Sequence, residues 1–222
     1  MINSKTSKVK TDSLDPFQHM ADAKKIEESC NCFYQKFIKF PDVGIFHSKS
    51  EFLHAALLES DPEVTRFVPQ SHKFLIGNRP YIPDCYFVKN GKKYIVELKP
   101  QGKFNPKKQI PLTAYLKREN IEFLVISNEE ILDREMFAVN WLEIVRALVT
   151  NSHIETQNQE YKILDSLSNS PEQQLGDIIS QHDRFNKMAH EIAFYRLCHK
   201  GEVYMHLEDK PFSYDTEVKI CG

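Results

Sequence analysis

The sequence predicts an α/β protein: a mixed β-sheet core flanked by helices, followed by a small, mainly helical C-terminal domain. Three observations predict it. Strand-like and helix-like stretches alternate up to about residue 150. One of them, Ile121–Ser127 (IEFLVIS), is almost wholly apolar and reads as a buried central strand. Beyond Asn151-Ser152, strand signals vanish until the end of the chain, where three helical patterns precede a short hairpin in a winged-helix-like outline. The 222 residues suffice for one large domain or two small ones. The expected division is an N-terminal extension over 1–45, a larger α/β domain over 46–150 and the helical domain over 151–222.

Each element has its own signal. Residues 1–20 are polar and read as a poorly ordered terminus. Met20–Phe40 reads as helix and then strand, and Pro41-Asp42 as a turn. Residues 48–60 predict a helix with Leu53, Ala56 and Leu57 on one face, ended by Asp61-Pro62 because proline cannot continue it. Val64–Pro69 and His72–Ile76 read as strands, with Gly77-Asn78 able to turn a hairpin. Tyr81–Val88 and Lys93–Lys99 read as partner strands across Asn90-Gly91, the strongest hairpin signal in the chain. Gly102–Pro106 reads as a loop, 109–120 as a helix after Pro111, and Met136–Thr150 as a helix. Tyr161–Leu167, Glu172–Ile179 and Phe185–His199 are the three late helices, the last capped by Gly201; Val203–Leu207 and Asp215–Ile220 form the hairpin.

Composition excludes several classes. Hydrophobic residues at 41% and charged residues at 27% are ordinary for a globular chain, neither disordered nor fibrous. No apolar run of about 18 residues predicts a membrane span, and the Lys-dotted start has no apolar stretch behind it to make a secretory signal. Five scattered cysteines fit reduced thiols and a cytoplasmic location.

The net charge of −2 hides a strong segregation. Residues 65–118 hold 12 Lys or Arg and only two acids, Asp84 and Glu97, whereas residues 151–222 hold 7 bases and 12 acids. A concentrated basic surface suits a phosphate backbone. The same charges also describe a solvated lysine face. The acidic last third reads as a module that contacts protein.

The two acids of the basic segment carry the chemistry. Strand alternation puts Glu97 and Lys99 on one face, with Tyr94, Val96 and Leu98 on the other. The hairpin folds Asp84 back towards Glu97. Two carboxylates and an ammonium then meet at one sheet face. Carboxylates at short range repel unless a cation lies between them, and oxygen ligands select a hard ion such as Mg²⁺ or Mn²⁺. Such an ion polarises a phosphoryl oxygen and acidifies a bound water, while Lys99 orients that water or balances charge at phosphorus. Glu51 is the candidate third carboxylate, although Ser48-Lys49-Ser50-Glu51 is equally a capping box. Glu59, Asp61 and Glu63 read as solvated helix-end charges.

Pro83, Asp84, Glu97 and Lys99 stand in the positions of the PD-(D/E)xK nuclease signature, which implies a restriction-endonuclease-like sheet core. The longer run is similar to the nuclease domain of the TnsA family, the endonuclease subunits of heteromeric transposases. It comprises Glu51 on a helix, Leu58-Glu59-Ser60-Asp61-Pro62-Glu63-Val64, a strand leading to Gln70, Tyr81-Ile82-Pro83-Asp84 and Glu97-Leu98-Lys99. Tyr115-Leu116-Lys117, Phe123–Ser127 and Gly201–Thr216 look like later parts of the same family, so the resemblance runs from about residue 45 onward.

The resemblance implies a Mg²⁺- or Mn²⁺-dependent DNA endonuclease that cuts the 5′ ends of a transposon. It implies an integrase-type transposase subunit as partner, and an AAA+ ATPase regulator contacting the C-terminal domain. Glu51, Asp84 and Glu97 would be the metal-side carboxylates and Lys99 the catalytic lysine. Gln70, Lys73, Lys103, Lys107 and Lys108 are the expected DNA contacts; solvated lysines are the alternative for the last three. A stand-alone restriction or resolvase enzyme and a non-catalytic assembly subunit of the same fold remain alternatives. Other residues read more simply: Cys30-x-Cys32 lacks the four ligands of a zinc site, His182 and His190 read as polar helix positions, Trp141 as a core anchor and Ser127 as a strand end.

Overall fold

A computed structural model describes residues 9–18, 32–179 and 186–221, so the readings placed on Cys30, His182 and Phe185 lie outside the described residues. The protein is a mixed α/β chain with several small sheets. No described helix is long and apolar enough to cross a membrane. It divides into two compact units, one of Met1–Leu58 with Glu63–Asp133 and one of Glu59–Pro62 with Arg134–Gly222.

In the first unit, β1 (Val9–Thr11), β2 (Phe33–Lys36) and β3 (Val43–Phe46) precede helix α1 (Lys49–Ser60). β2 and β3 form a hairpin, and β1 pairs antiparallel with β5 (Phe74–Ile76), which turns through Gly77-Asn78 into β6 (Arg79–Tyr81). Gly77 adopts a φ of 65°, which glycine tolerates at no steric cost. Described residues of the stretch before 45 pack with later parts of the first unit. Val9 pairs with Ile76, and Phe37 and Phe46 are buried against one another at 5.8 Å.

The main sheet has the order β4-β7-β8-β9, built from β4 (Val64–Pro69), β7 (Cys85–Lys89), β8 (Lys92–Lys99) and β9 (Ile121–Ser127). β4, β7 and β8 are antiparallel neighbours, and β9 runs parallel to β8. Between β7 and β8, Asn90 and Gly91 have φ of 50° and 73°, the two positive values that a type I′ turn requires. Ile95 and Val96 are both wholly buried, so β8 is covered on both faces. β9 is not central: it closes the edge of the sheet, and its residues after Ile121 are exposed or half-buried.

The predicted single strand Tyr81–Val88 is two strands in two sheets. Pro83 offers no N–H to a ladder, and the chain leaves β6 at Tyr81 and enters β7 at Cys85. Helix α2 (Pro106–Arg118) starts earlier than expected. Asn105 caps it by accepting the Lys107 N–H, and Pro106 takes the first turn, where a missing N–H costs nothing. Pro111 is accommodated inside the helix and is buried. Helix α3 (Asn128–Leu132) follows β9, with Ser127 as its N-cap.

The second unit holds α4 (Glu135–Thr150), α5 (Gln157–Asn169), β10 (Gln173–Gln174), α6 (Leu175–Ile179), α7 (Lys187–Lys200), β11 (Val203–Met205) and β12 (Glu217–Ile220). Its three-stranded sheet has the order β10-β12-β11. The unit starts at Arg134 rather than near Asn151. Helix α4 belongs to it because buried Asn140 donates to Leu207 O and Lys210 O, both at 2.8 Å, and accepts the Phe212 N–H. Gly201, at a φ of 76°, ends α7 in the left-handed conformation, as predicted. Glu59 is fully buried here and accepts or shares a 2.7 Å hydrogen bond with His199 Nε2. The reading of Glu59 as a solvated charge is thus corrected: a helix 140 positions on covers it.

Candidate active site

The site grows from one hairpin. Cys85 pairs with Val96, so Asp84, one residue before β7, lies opposite Glu97. Asp84 is not part of the ladder. Its Oδ2 instead accepts the Leu98 N–H at 2.7 Å, which fixes the carboxylate across the strand from Glu97. Lys99 Nζ reaches Glu97 Oε1 at 2.7 Å; Glu97 is buried and Lys99 half-buried, so the group opens to solvent at the lysine. The expected gathering of Asp84, Glu97 and Lys99 at one end of the hairpin is what the structure shows.

Glu51 is both a cap and a neighbour of this group. Ser48 Oγ accepts the Glu51 N–H and donates to Glu51 Oε1 at 2.9 Å, while Glu51 Oε2 accepts the His47 N–H at 3.2 Å. The capping reading of Ser48–Glu51 holds, and the Glu51 charge also acts on Asp84 and Lys99. Glu51 and Asp84 line a crevice of about 10 Å³, roughly the room of one water.

Electrostatics follow from three acids and one amine. Burial, reinforced by the Glu97 and Glu51 charges, raises the Asp84 carboxyl to about 8. Burial alone would pull the Lys99 ammonium down. The Glu97 hydrogen bond and the Asp84, Glu97 and Glu51 charges outweigh it and hold Lys99 above the ordinary lysine value. Lys99 is therefore a charge balancer in this state rather than a free base. His54, one turn after Glu51, is buried, and that burial lowers its imidazole to about 4, leaving it neutral.

The raised Asp84 carboxyl has a measurable consequence. An acid that binds its proton more tightly when folded supports the fold below pH 4 and loses that support as pH rises towards 8. Asp84→Asn keeps an oxygen for the Leu98 N–H and removes the charge. At pH 8 without divalent metal it is expected to stabilise the protein by on the order of 2 kcal/mol, or roughly 4–8 °C in Tm. Thermal melts of both proteins at pH 5 and pH 8 measure this; an equal gap at the two pH values would refute it.

Three features of the site bear on the expectations. Among the described residues, no three His, Cys, Asp or Glu side chains converge closely enough to hold a metal ion. Asp84 and Glu97 lie opposite one another, and the oxygens of the third carboxylate, Glu51, serve the helix cap and Gln70. Gln70 is buried, and its amide donates to Glu51 Oε2 at 3.2 Å and meets His47 Nδ1, so it serves Glu51 rather than a DNA surface. Its backbone, at a φ of 46°, donates N–H to Asp84 O at 2.8 Å and ties the end of β4 to the Asp84 turn. Lys107 and Lys108 open helix α2.

Lys73, Lys103 and Lys107 are exposed, Lys73 just before β5 and Lys103 beside Gln101. Lys108 is half-buried and lies over the Tyr81 ring at 5.7 Å. The motif Tyr81-Ile82-Pro83-Asp84 gave Tyr81 no role of its own, yet its phenol donates to Glu97 Oε2 at 2.5 Å. The sequence reading also passed over Glu129, whose Oε2 accepts the Gln101 N–H at 2.8 Å and the Ser127 hydroxyl at 2.5 Å. Glu129 thereby anchors the turn that follows Lys99, where Gln101 takes a φ of 54°. No protein-family model and no curated protein matches the chain.

Proposed function

We propose that the chain is a divalent-metal-dependent DNA endonuclease, acting as the 5′-end-cutting subunit of a heteromeric transposase of the TnsA type. The observation that carries this reading is the hairpin end, where Asp84 and Glu97 lie opposite one another and Lys99 pairs with Glu97 at 2.7 Å. The antiparallel hairpin beside a parallel edge strand, with helices following, is compatible with a restriction-endonuclease-like core. The helices and three-stranded sheet of the second unit are compatible with a winged-helix-like module. Cys85, Cys198 and Cys221 are free thiols, in keeping with a cytoplasmic enzyme.

The donor chemistry fits a hard divalent ion. Every side-chain donor is a carboxylate oxygen, and the negative charges that add to burial in raising Asp84 are what a cation would relieve. Asp84 and Glu97 would hold Mg²⁺ or Mn²⁺, with the third carboxylate, Glu51, nearby and engaged by the helix cap and Gln70, and the bound ion would polarise the phosphodiester and acidify water. Lys99 balances charge building on the scissile phosphate. Lys73, Lys103, Lys107 and Lys108 seat the DNA backbone. The acidic second unit would dock the integrase-type subunit and the AAA+ ATPase.

Transposon-end DNA incubated with this chain and its integrase-type partner is the test. With Mg²⁺, 5′-end cleavage is expected. With Ca²⁺, DNA should be bound and left uncut. Affinity should fall about 10³-fold between 50 and 200 mM salt if six or more phosphates are neutralised. Cleavage in excess EDTA, or none under any condition with both partners present, overturns the reading. Robust cutting by the chain alone favours the stand-alone enzyme.

A further inference from the structure

We propose that Tyr81 is a positioning residue for the Glu97 carboxylate, linking the seating of the basic segment after Lys99 to the competence of the metal-side acids. The inference rests on the endonuclease reading above and deepens it. Tyr81 is buried at the end of β6, in a different sheet from Glu97, yet its hydroxyl donates to Glu97 Oε2 at 2.5 Å. Lys99 occupies the other oxygen, Oε1. Glu97 is thus held at both oxygens, by a neutral donor from one side and a cation from the other. A carboxylate oxygen has two lone pairs, so Oε2 can keep the phenol and still face an ion.

Tyr81 is itself clamped by groups that the DNA backbone would reach. Phe104 packs on it with ring centres 5.8 Å apart, and Lys108 stands over its face at 5.7 Å. Phe104 lies between Lys103 and Lys107, and also meets Phe123 of β9 at 5.8 Å. The lysines that would seat DNA therefore flank an aromatic contact two side chains from Glu97. A tyrosine placed there only to fill the core would contribute packing alone. One that orients a ligand acts as outer-shell partners do, changing metal affinity or activity by about 10- to 100-fold when removed.

The experiment is Mn²⁺ titration calorimetry on the full chain without DNA, together with single-turnover cleavage by the assembled complex. Tyr81→Phe keeps the ring and removes the hydroxyl. It is expected to weaken Mn²⁺ binding about 10-fold and to slow cleavage by a similar factor, with DNA affinity in Ca²⁺ unchanged. Phe104→Leu, which keeps the hydroxyl and loosens its clamp, is expected to shift both in the same direction by less. It decides the matter should Tyr81→Phe fail to fold. Parental Mn²⁺ affinity in folded Tyr81→Phe, or in Phe104→Leu as the substitute, overturns the inference. Asp84→Ala separates the two levels: if it too binds Mn²⁺ like the parent, the endonuclease site is wrong, whereas if it alone loses the ion, only the role of Tyr81 fails.

Discussion

Asp84→Ala and Lys99→Ala are each expected to lower 5′-end cleavage by about 10³-fold or more while leaving DNA affinity in Ca²⁺ near the parental value. The two losses have different causes. Asp84→Ala removes an oxygen donor and frees the Leu98 N–H it accepts at 2.7 Å. Lys99→Ala removes the ammonium paired with Glu97, leaving three acids without their cation and, in the proposed reaction, the scissile phosphate without its charge balance. Lys99→Arg is expected to recover little, since a planar guanidinium does not take the place of a compact ammonium. Single-turnover assays on end-labelled DNA check all three. Parental cleavage by either alanine variant would remove the hairpin from the chemistry; transposition that proceeds normally with Glu51, Asp84 and Lys99 all truncated would leave the chain an assembly subunit.

His199→Ala should destabilise the second unit by roughly 3 kcal/mol, a fall of about 12–24 °C in its Tm. Glu59 is fully buried, and His199 Nε2 meets its Oε1 at 2.7 Å, with the Trp141 ring 6.4 Å from the imidazole. Removing the imidazole takes a partner from a carboxylate that water cannot reach, and leaves a void beside the tryptophan. Glu59→Gln, which keeps shape and hydrogen bonding without the charge, should cost much less. Calorimetric scans of the three proteins provide the check. Equal Tm values for His199→Ala and the parent would show that the pair contributes nothing.

The same carboxylate shows where a linear reading stops. The helix over 49–60 announces itself through its apolar positions and its capping serine, and turns such as Asn90-Gly91 announce themselves through residues that accept a positive φ. Those signals are local, and β4 and β9 end where their residue patterns end. What covers Glu59 is a helix far along the chain, and no periodicity within 48–60 encodes it. Central and edge strands are equally hard to separate when both are apolar, which is why β9 reads as central and lies at the edge. Asn105-Pro106 is a different matter: a capping residue followed by proline at the first helical position is a legible start signal that the later Pro111 obscures. At the site, Asp84, Glu97 and Lys99 follow from the hairpin alone. The engagement of Glu97 by Tyr81 does not, because Pro83 sends Tyr81 into another sheet.

Tyr81, Asp84, Glu97 and Lys99 all fall within one short contiguous stretch, closed by the two-residue turn at Asn90-Gly91. Contacts so close in sequence need little loop-closure entropy, and an isolated β-hairpin forms on a scale of about 1–10 μs. The β7–β8 hairpin can therefore assemble during the earliest, fastest phase of refolding, ahead of slower long-range pairings such as β1 with β5. Substitutions at the Asn90-Gly91 turn would then be felt first in the refolding rate.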